Sequence, residues 1–337
     1  MSRPLASTPS RRRVLASAAG VLAAAGLAAC SSDSDDGGKK GAGSPDSAGS
    51  PDTAGTRTVD TAKGKVKVPA HPRRVVAIND FPMSAMFDMD LTPAGVFDAG
   101  EEYVPARDLT RWRAVPKVSD GVGGEIRVEK VAALAPDLII GIDAQTNLPY
   151  KQLSALAPTV LLPFTKSKNP WRDMAEQTAD VLGEHGKLDA LKKEYGTKAA
   201  AIREEHAKAL AATHWALLQG GFDEGQWWLY GHGSPIGAIL ADAGAVFSAA
   251  SRRLDVQQAV SYELIANKLG DADAVFYYTT NDGKPANLGP KLFAQPAFTK
   301  LAAAQAGKLF GSVFFLPGGM RDAIAALDDF DKALRKL

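Results

Sequence analysis

The sequence predicts an α/β fold made of two α/β halves joined by one long α-helix. Three observations carry this. Short continuous apolar runs alternate with helical patterns in the first half of the chain. A single amphipathic helix follows them. Strand and helix signals then resume. Continuous apolar strands separated by helices indicate a parallel sheet covered on both faces.

The chain opens on an address rather than on the fold. In Ser10–Cys30, "SRRRVLASAAGVLAAAGLAAC", three arginines precede an apolar run that stops at the only cysteine. The run, ~15 residues rich in Ala and Gly, is shorter than the ~20 a membrane span needs, so it reads as a secretory signal. Ser10-Arg11-Arg12-Arg13-Val14-Leu15 resembles the twin-arginine export motif, with Arg11 and Arg12 as the pair. Leu27-Ala28-Ala29-Cys30 resembles a lipobox, in which Cys30 is lipidated. A lone thiol forms no internal disulfide, and attachment explains its place. Residues 1–29 are therefore read as the signal. Residues 30–55 hold Ser, Gly, Asp and Pro without a large apolar side chain, the composition of a flexible tether.

Residues 56–185 form the N-terminal lobe. Its strands are the apolar runs in "RRVVAIND", "TPAGVFDAG", "PDLIIGID" and "PTVLLPF", and its helices "MSAMFDMD", "VEKVAALA" and "QTNLPYKQLSALA". Residues 186–211 form the connecting helix. Leu188, Leu191, Tyr195, Ala199, Ile202, His206 and Leu210 recur at spacings of three and four, one face of a helix. About 23 residues at ~1.5 Å each make a rod of roughly 35 Å, enough to span two lobes. Residues 212–337 form the C-terminal lobe, from "HWALLQG" and "WWLYG" through "SPIGAILADAG", "DADAVFYYTT" and "KLFGSVFFLP" to a terminal helix. The lobes echo each other. Glu129 heads a short helix before Asp137 and a strand; Glu263 does so before Asp273 and a strand.

Charge narrows the function. Of 39 Lys and Arg, four lie in residues 1–29, which hold no acid, so the rest is slightly acidic against 38 Asp and Glu. No basic stripe remains, which argues against a nucleic-acid partner.

In order and spacing, "HPRRVVAI", "VGGEIRVEKVAALAPDLIIG", "LYGHGSPIGAILADAGA", "VSYELIANKLGDADAVF" and "QPAFTKLAAAQAGKLF" resemble a known family. It is that of the substrate-binding lipoproteins of ABC importers for iron–siderophores, haem and cobalamin, and the likeness runs from about Thr56 to Leu337. The resemblance implies two Rossmann-like lobes, no enzymatic activity and no cofactor. It implies a monomer held on the outer face of the cytoplasmic membrane by the Cys30 lipid, with an ABC-transporter permease as partner. Glu129 and Glu263 match the glutamates, one per lobe, that dock on permease arginines. On the residues alone, a glutamate in a first helical turn favours the positive end of the helix dipole, worth ~0.3–1 kcal/mol.

The cleft is expected at loops after the strands: "NDFPM" and "GEEYVPARDLTRWR" in the first lobe, "WWLYG", "SAASRRLDVQQA", "YYTTNDG" and "FFLPGGMR" in the second. The candidate ligand-binding residues are Tyr103, Arg111, Trp112, Trp228, Tyr230, Arg252, Tyr278, Phe315 and Arg321. Trp228 and Tyr230 share one strand face, Trp227 the other. Aromatics with a few arginines suit a large, partly apolar chelate; each aromatic would serve equally as core. The expected cargo is a ferric siderophore of hydroxamate type, since the arginines are too sparse for a highly anionic catecholate. Iron would stay with the siderophore, with no protein ligand.

Two rival readings remain. A haem or cobalamin carrier of the same fold could use His232, though the five histidines show no metal-ligand spacing. An exported lipid-anchored α/β hydrolase would need Ser234, His232 and an aspartate together. "GHGSPIG" fits neither a phosphate loop nor a nucleophile elbow; Ser234 reads as a helix N-cap followed by Pro235. "LPGGM" lacks a dinucleotide fingerprint.

Overall fold

The computed structural model describes residues 55–145 and 147–337. The signal with Arg11 and Arg12, Cys30 and the tether to residue 54 lie outside the described residues. The first described element is an antiparallel hairpin, β1 (Thr56–Thr61) on β2 (Gly64–Pro69), which the sequence reading does not anticipate.

The first lobe runs β3 (Val75–Ala77), α1 (Asp80–Asp88), β4 (Gly95–Val96), α2 (Ala106–Ala114), α3 (Val128–Ala133), β5 (Leu138–Ile142), α4 (Tyr150–Leu156), β6 (Thr159–Leu162) and α5 (Pro170–Leu182). Its sheet has the order β4-β3-β5-β6, all parallel. Every residue of β5 and β6 is buried, as an apolar strand covered on both faces requires. The order reverses at β3, so a crevice opens at that strand's carboxyl end, where α1 begins.

The long helix is present as α6 (His185–Glu205) and is followed by a short α7 (Ala207–Ala212). The expected single rod breaks at His206, whose φ of −106° and ψ of 19° leave the helix and whose Nε2 meets Asp331 at 2.6 Å.

The second lobe runs β7 (His214–Gly220), β8 (Gln226–Tyr230), α8 (Pro235–Asp242), β9 (Val246–Phe247), α9 (Ala249–Arg253), β10 (Gln257–Ser261), α10 (Ile265–Leu269), β11 (Ala274–Tyr278), α11 (Gly289–Phe293), α12 (Pro296–Thr299), α13 (Ala302–Gln305), β12 (Leu309–Ser312) and α14 (Met320–Leu334). Its sheet is mixed: β10-β8-β7-β11-β12, with β9 also on β7 and β8 antiparallel to both neighbours.

The echo between lobes has a structural basis. Asp137, before β5, accepts from the backbone N–H of Arg73 at 2.7 Å and Arg74 at 2.9 Å, just ahead of β3. Asp273, before β11, accepts from the N–H of His214 at the start of β7, at 2.8 Å. Each aspartate ties the entry of its own strand to the entry of its lobe's first strand.

The lobes share their base. One hydrophobic core runs from β3, β5 and β6 through α1, α5 and α6 to α8, α14 and the inner face of the second sheet. Each sheet's outer face has a smaller core of its own. At the back, Asp242 of α8 accepts from Tyr195 of α6 at 2.8 Å and from Arg172 of α5 at 3.1 Å. Nearer the crevice, Asp88 at the end of α1 accepts from the N–H groups of Met320 (2.5 Å) and Arg321 (3.2 Å) at the start of α14. Gly318 and Gly319 of "LPGGM" make this approach possible. A Cβ on Gly319 would collide with the Asp88 carboxylate, and one on Gly318 would lie 2.9 Å from Ser84 Cβ. Gly319→Ala is expected to lower the unfolding free energy by about 1–3 kcal/mol, the usual cost of overpacking, read from the urea midpoint. An unchanged midpoint would show that the two helices part freely.

Candidate functional site

Between the lobes lie two adjoining cavities, of 620 Å³ and 670 Å³, that share Asp80 and Leu316. Their walls come from the carboxyl ends of parallel strands and the residues that follow them. α1 starts straight after β3; Asn79 caps it, its side chain accepting from Phe81 N–H at 3.1 Å. That cap points Asp80, Met83, Ser84 and Phe87 into the first cavity. A short 3₁₀ turn, Glu101–Tyr103, and the first turn of α2 add Tyr103, Arg107 and Asp108. The second lobe answers with Gln219 and Phe222 at the end of β7, Tyr278 at the end of β11, and Asn287. The second cavity is walled by Phe81, Phe164, Lys168, Tyr230, Asp255 and Val256.

One end of the cleft is bridged. The Tyr103 hydroxyl donates to Asn287 Oδ1 at 3.0 Å, and its ring stacks on Tyr278 at 5.8 Å between centroids. Asn281 donates from its backbone to Glu102 O at 2.9 Å and from its side chain to Glu101 O at 2.8 Å. Burial pushes the phenols of Tyr230, Tyr278 and Tyr103 above their ordinary value, so they act as neutral hydrogen-bonding groups rather than phenolates. Burial also raises the carboxyls of Asp80, Asp88 and Asp108; Asp88 reaches about 7. Asp322 lies beneath them, paired with Arg107 and accepting from Gly318 N–H at 2.9 Å.

Of the residues singled out from the sequence, Tyr103, Tyr278 and Tyr230 line the cleft. Trp228 is partly buried and stands opposite Gln219 in the antiparallel register, hence on the face of a lining residue. Five others lie elsewhere, which corrects their expected place. The segment holding Arg111 and Trp112 is helical, not a loop. Trp112 is buried under the Lys117 ammonium, 3.8 Å from its ring. Arg111 lies over Phe87 and, like Arg321, donates to Phe87 O at 3.2 Å. Two cations thus cap the carboxyl end of α1, where the helix dipole favours them; Arg321 also pairs with Asp90. Phe315 is wholly buried against Tyr230 and Phe276. Arg252 is exposed on α9, outside both cavities.

Sequence reading named the loop that holds Asp80 but not the residue, and it missed Arg107, Gln219, Phe222, Phe164 and Asn287. Phe222 is 69% exposed at the rim; an aromatic in the glycine-rich "GGFDEG" after a strand was the available signal. His232 is exposed and lines neither cavity. The Ser234 hydroxyl donates to Gly231 O at 2.7 Å and accepts from Gly237 N–H at 3.1 Å. It is the α8 cap, as expected, and is not paired with His232.

Glu129 and Glu263 are both exposed, in the first turns of α3 and of a 3₁₀ turn, Tyr262–Leu264. Ser261 caps the latter, accepting from Glu263 N–H at 3.3 Å. Among the described residues, neither glutamate forms an ion pair, and no helix is long and apolar enough to cross a membrane.

Residues 92–312 match the family described as periplasmic binding protein. The chain belongs to that family. Among solved members of this fold, it resembles the siderophore periplasmic binding protein from the fuscachelin gene cluster of Thermobifida fusca. The two are 26% identical with a TM-score of 0.69, over 80% of this chain and 99% of that one. Two relatives come from Bacillus subtilis. Iron(3+)-hydroxamate-binding protein YxeB is 26% identical over 52% of this chain and 50% of its own. Fe(3+)-citrate-binding protein YfmC is 28% identical over 42% of each. The chain thus spans about half the length, or less, of the curated relatives it matches.

Proposed function

We propose that this periplasmic binding protein captures a ferric siderophore of hydroxamate type between its lobes and delivers it to an ABC permease for iron uptake. The observation that carries the reading is the interlobe cleft itself. Two adjoining cavities of this size, walled by aromatic rings and neutral phenols at strand ends, suit one bulky chelate. The names of the relatives support ferric cargo. Phenols held protonated would hydrogen-bond to the chelate's oxygens and leave iron to the siderophore. Export through residues 1–29 and attachment through Cys30 would hold the protein outside the membrane, with Glu129 and Glu263 facing the permease.

The shared core at the base fits small hinge motion rather than wide opening, since a continuous packed layer resists rotation.

Fluorescence titration of the protein lacking residues 1–55 tests the reading. Micromolar ferri-hydroxamate is expected to quench the tryptophans, and Trp228→Phe to remove most of the quench. Trp228, though it lines neither cavity, is only partly buried and shares the strand face of Tyr230 and Gln219, whereas Trp112, Trp171, Trp215 and Trp227 are buried. Ferri-catecholate is expected to bind less tightly. A protein that leaves ferric chelates unbound but develops a haem Soret band, or binds cobalamin, would assign the cleft to those cargoes instead.

A further inference from the structure

The cleft holds more carboxyl groups than cations. Asp80, Asp88, Glu102, Asp108, Asp255 and Asp322 line its cavities, against Arg107 and Lys168. Arg107 is already engaged, paired with Asp322 and, at 3.1 Å, with Asp108. Asp88 is occupied by the N–H groups that open α14. Asp80 is left with only the backbone N–H groups at the start of its own helix, and burial and the nearby Asp322 disfavour its charge. A cation entering the first cavity would reverse that penalty.

A second observation points the same way. Gln219 is 4% exposed, lines the first cavity, and its Oε1 has no hydrogen-bond partner. A buried acceptor left unpaired is costly, and a donor on a ligand would remove that cost. Gln219 also carries an NH2 donor, as Asn287 does, so it is the carboxylates, together with the unpaired amide oxygen, that give this cavity a surplus of acceptors. Its complement is a group with several N–H donors and a positive charge, which is an ammonium.

Resting on the reading of the cleft as a ferric-chelate site, we propose that the cargo carries a positively charged amine arm, taken up in the first cavity by Asp80 and Gln219. The iron-bearing part would then lie in the second cavity, against Phe81, Phe164 and Tyr230. The chemistry of the chelate fits. Three singly charged hydroxamates cancel the charge of ferric iron, so one free amine makes the whole complex cationic. A ferric catecholate or citrate is anionic and would meet like charge in a partly dry site.

The test compares two linear ferric trihydroxamates that differ only at one end: a free terminal amine in one, the same amine acetylated in the other. By calorimetry, the wild-type protein is expected to bind the amine form at least about tenfold more tightly, a difference near 1.4 kcal/mol. Added salt should narrow the gap. Asp80→Asn and Gln219→Leu should each bring the ratio of the two affinities toward one. Equal binding of the pair by wild type would overturn the proposal while leaving the chelate reading intact. Binding of neither, with a ferric citrate or catecholate bound instead, would overturn the hydroxamate reading and this proposal together. The wild-type comparison decides the matter even where a variant fails to fold.

Discussion

Thermal unfolding is expected to show the protein more stable at pH 5 than at pH 8, and Asp88→Asn to remove much of that difference. Asp88 is 4% exposed and sits between the lobes. Burial and the neighbouring Asp322 raise its carboxyl from 3.8 to about 7, against the lowering effect of the Arg321 N–H, Arg107 and the Met320 N–H. The sign follows from proton counting. Between about pH 4 and pH 7 the folded protein holds a proton at Asp88 that the unfolded chain has released, so stability falls as pH rises through this window. A shift of three units corresponds to a few kcal/mol, on the order of 4. Carboxylates whose values are lowered, such as Asp273 and Asp331, act below pH 4; burial raises Asp80 and Asp108 as it does Asp88, and they supply the part of the slope that Asp88→Asn leaves. Asparagine keeps an oxygen for the two α14 N–H groups and drops the charge. It is expected to raise the melting temperature at pH 8 and change it little at pH 5. Equal slopes for wild type and variant would show that Asp88 is ionised and satisfied throughout.

The sequence made the frame legible and left the walls of the site largely unread, for physical reasons. Strands β5 and β6 were readable because burial on both faces demands continuous apolar residues, and "LIIGI" and "TVLL" supply them. The connecting helix was readable from Leu188, Tyr195, Ala199 and Ile202, all buried on one face. Its end was not, because His206 leaves the helix where its ring meets Asp331 from α14, a tertiary contact. The hairpin β1–β2 escaped because its inward apolar side chains are only three valines, Val59, Val66 and Val68, scattered among Thr, Lys and Arg and too few to stand out as an apolar run.

Site residues depend on direction as well as type. Strand alternation put Trp228 and Tyr230 on one face, and they are, but that face also belongs to the central core. The polar "ARDLTRWRA" reads as loop because its charges dominate. It folds as a helix that buries only Trp112 and turns Arg111 onto α1. Arg111, Arg252 and Arg321 were expected to line the cleft. Instead Arg111 and Arg321 stitch helices, Arg107 answers aspartates, and Lys168 is the cation in the cleft left without an ion pair among the described residues. That balance is invisible in composition, since the chain as a whole is close to neutral.

On the proposed docking of the two exposed glutamates to a permease, Glu129→Lys/Glu263→Lys is expected to abolish uptake while leaving cargo affinity within about twofold. The two residues occupy matching places: each opens the short helix that precedes an Asp-clamped strand, β5 in one lobe and β11 in the other. Neither is used internally. Arg127, near Glu129, is held by Asp120, and Glu263 has only its backbone N–H capped by Ser261. Removing them from the free protein therefore breaks no ion pair among the described residues, and stability should change by no more than about 0.5 kcal/mol. Docking is different. A charge-assisted hydrogen bond to a partner cation contributes about 1.5–3 kcal/mol, and reversal adds like-charge repulsion. Loss at both lobes would exceed what other contacts could restore, so uptake should fall by roughly a hundredfold or more. Each single Glu→Ala variant loses one contact and should fall about tenfold. Leu264, 44% exposed beside Glu263, offers apolar area at the same place. Uptake of labelled ferric chelate into vesicles carrying the cognate permease, set beside calorimetric cargo affinity, separates docking from capture. Full uptake by the double reversal would place the permease contact elsewhere on the lobes. Lost uptake together with lost cargo binding would mean that the substitutions act through the cleft.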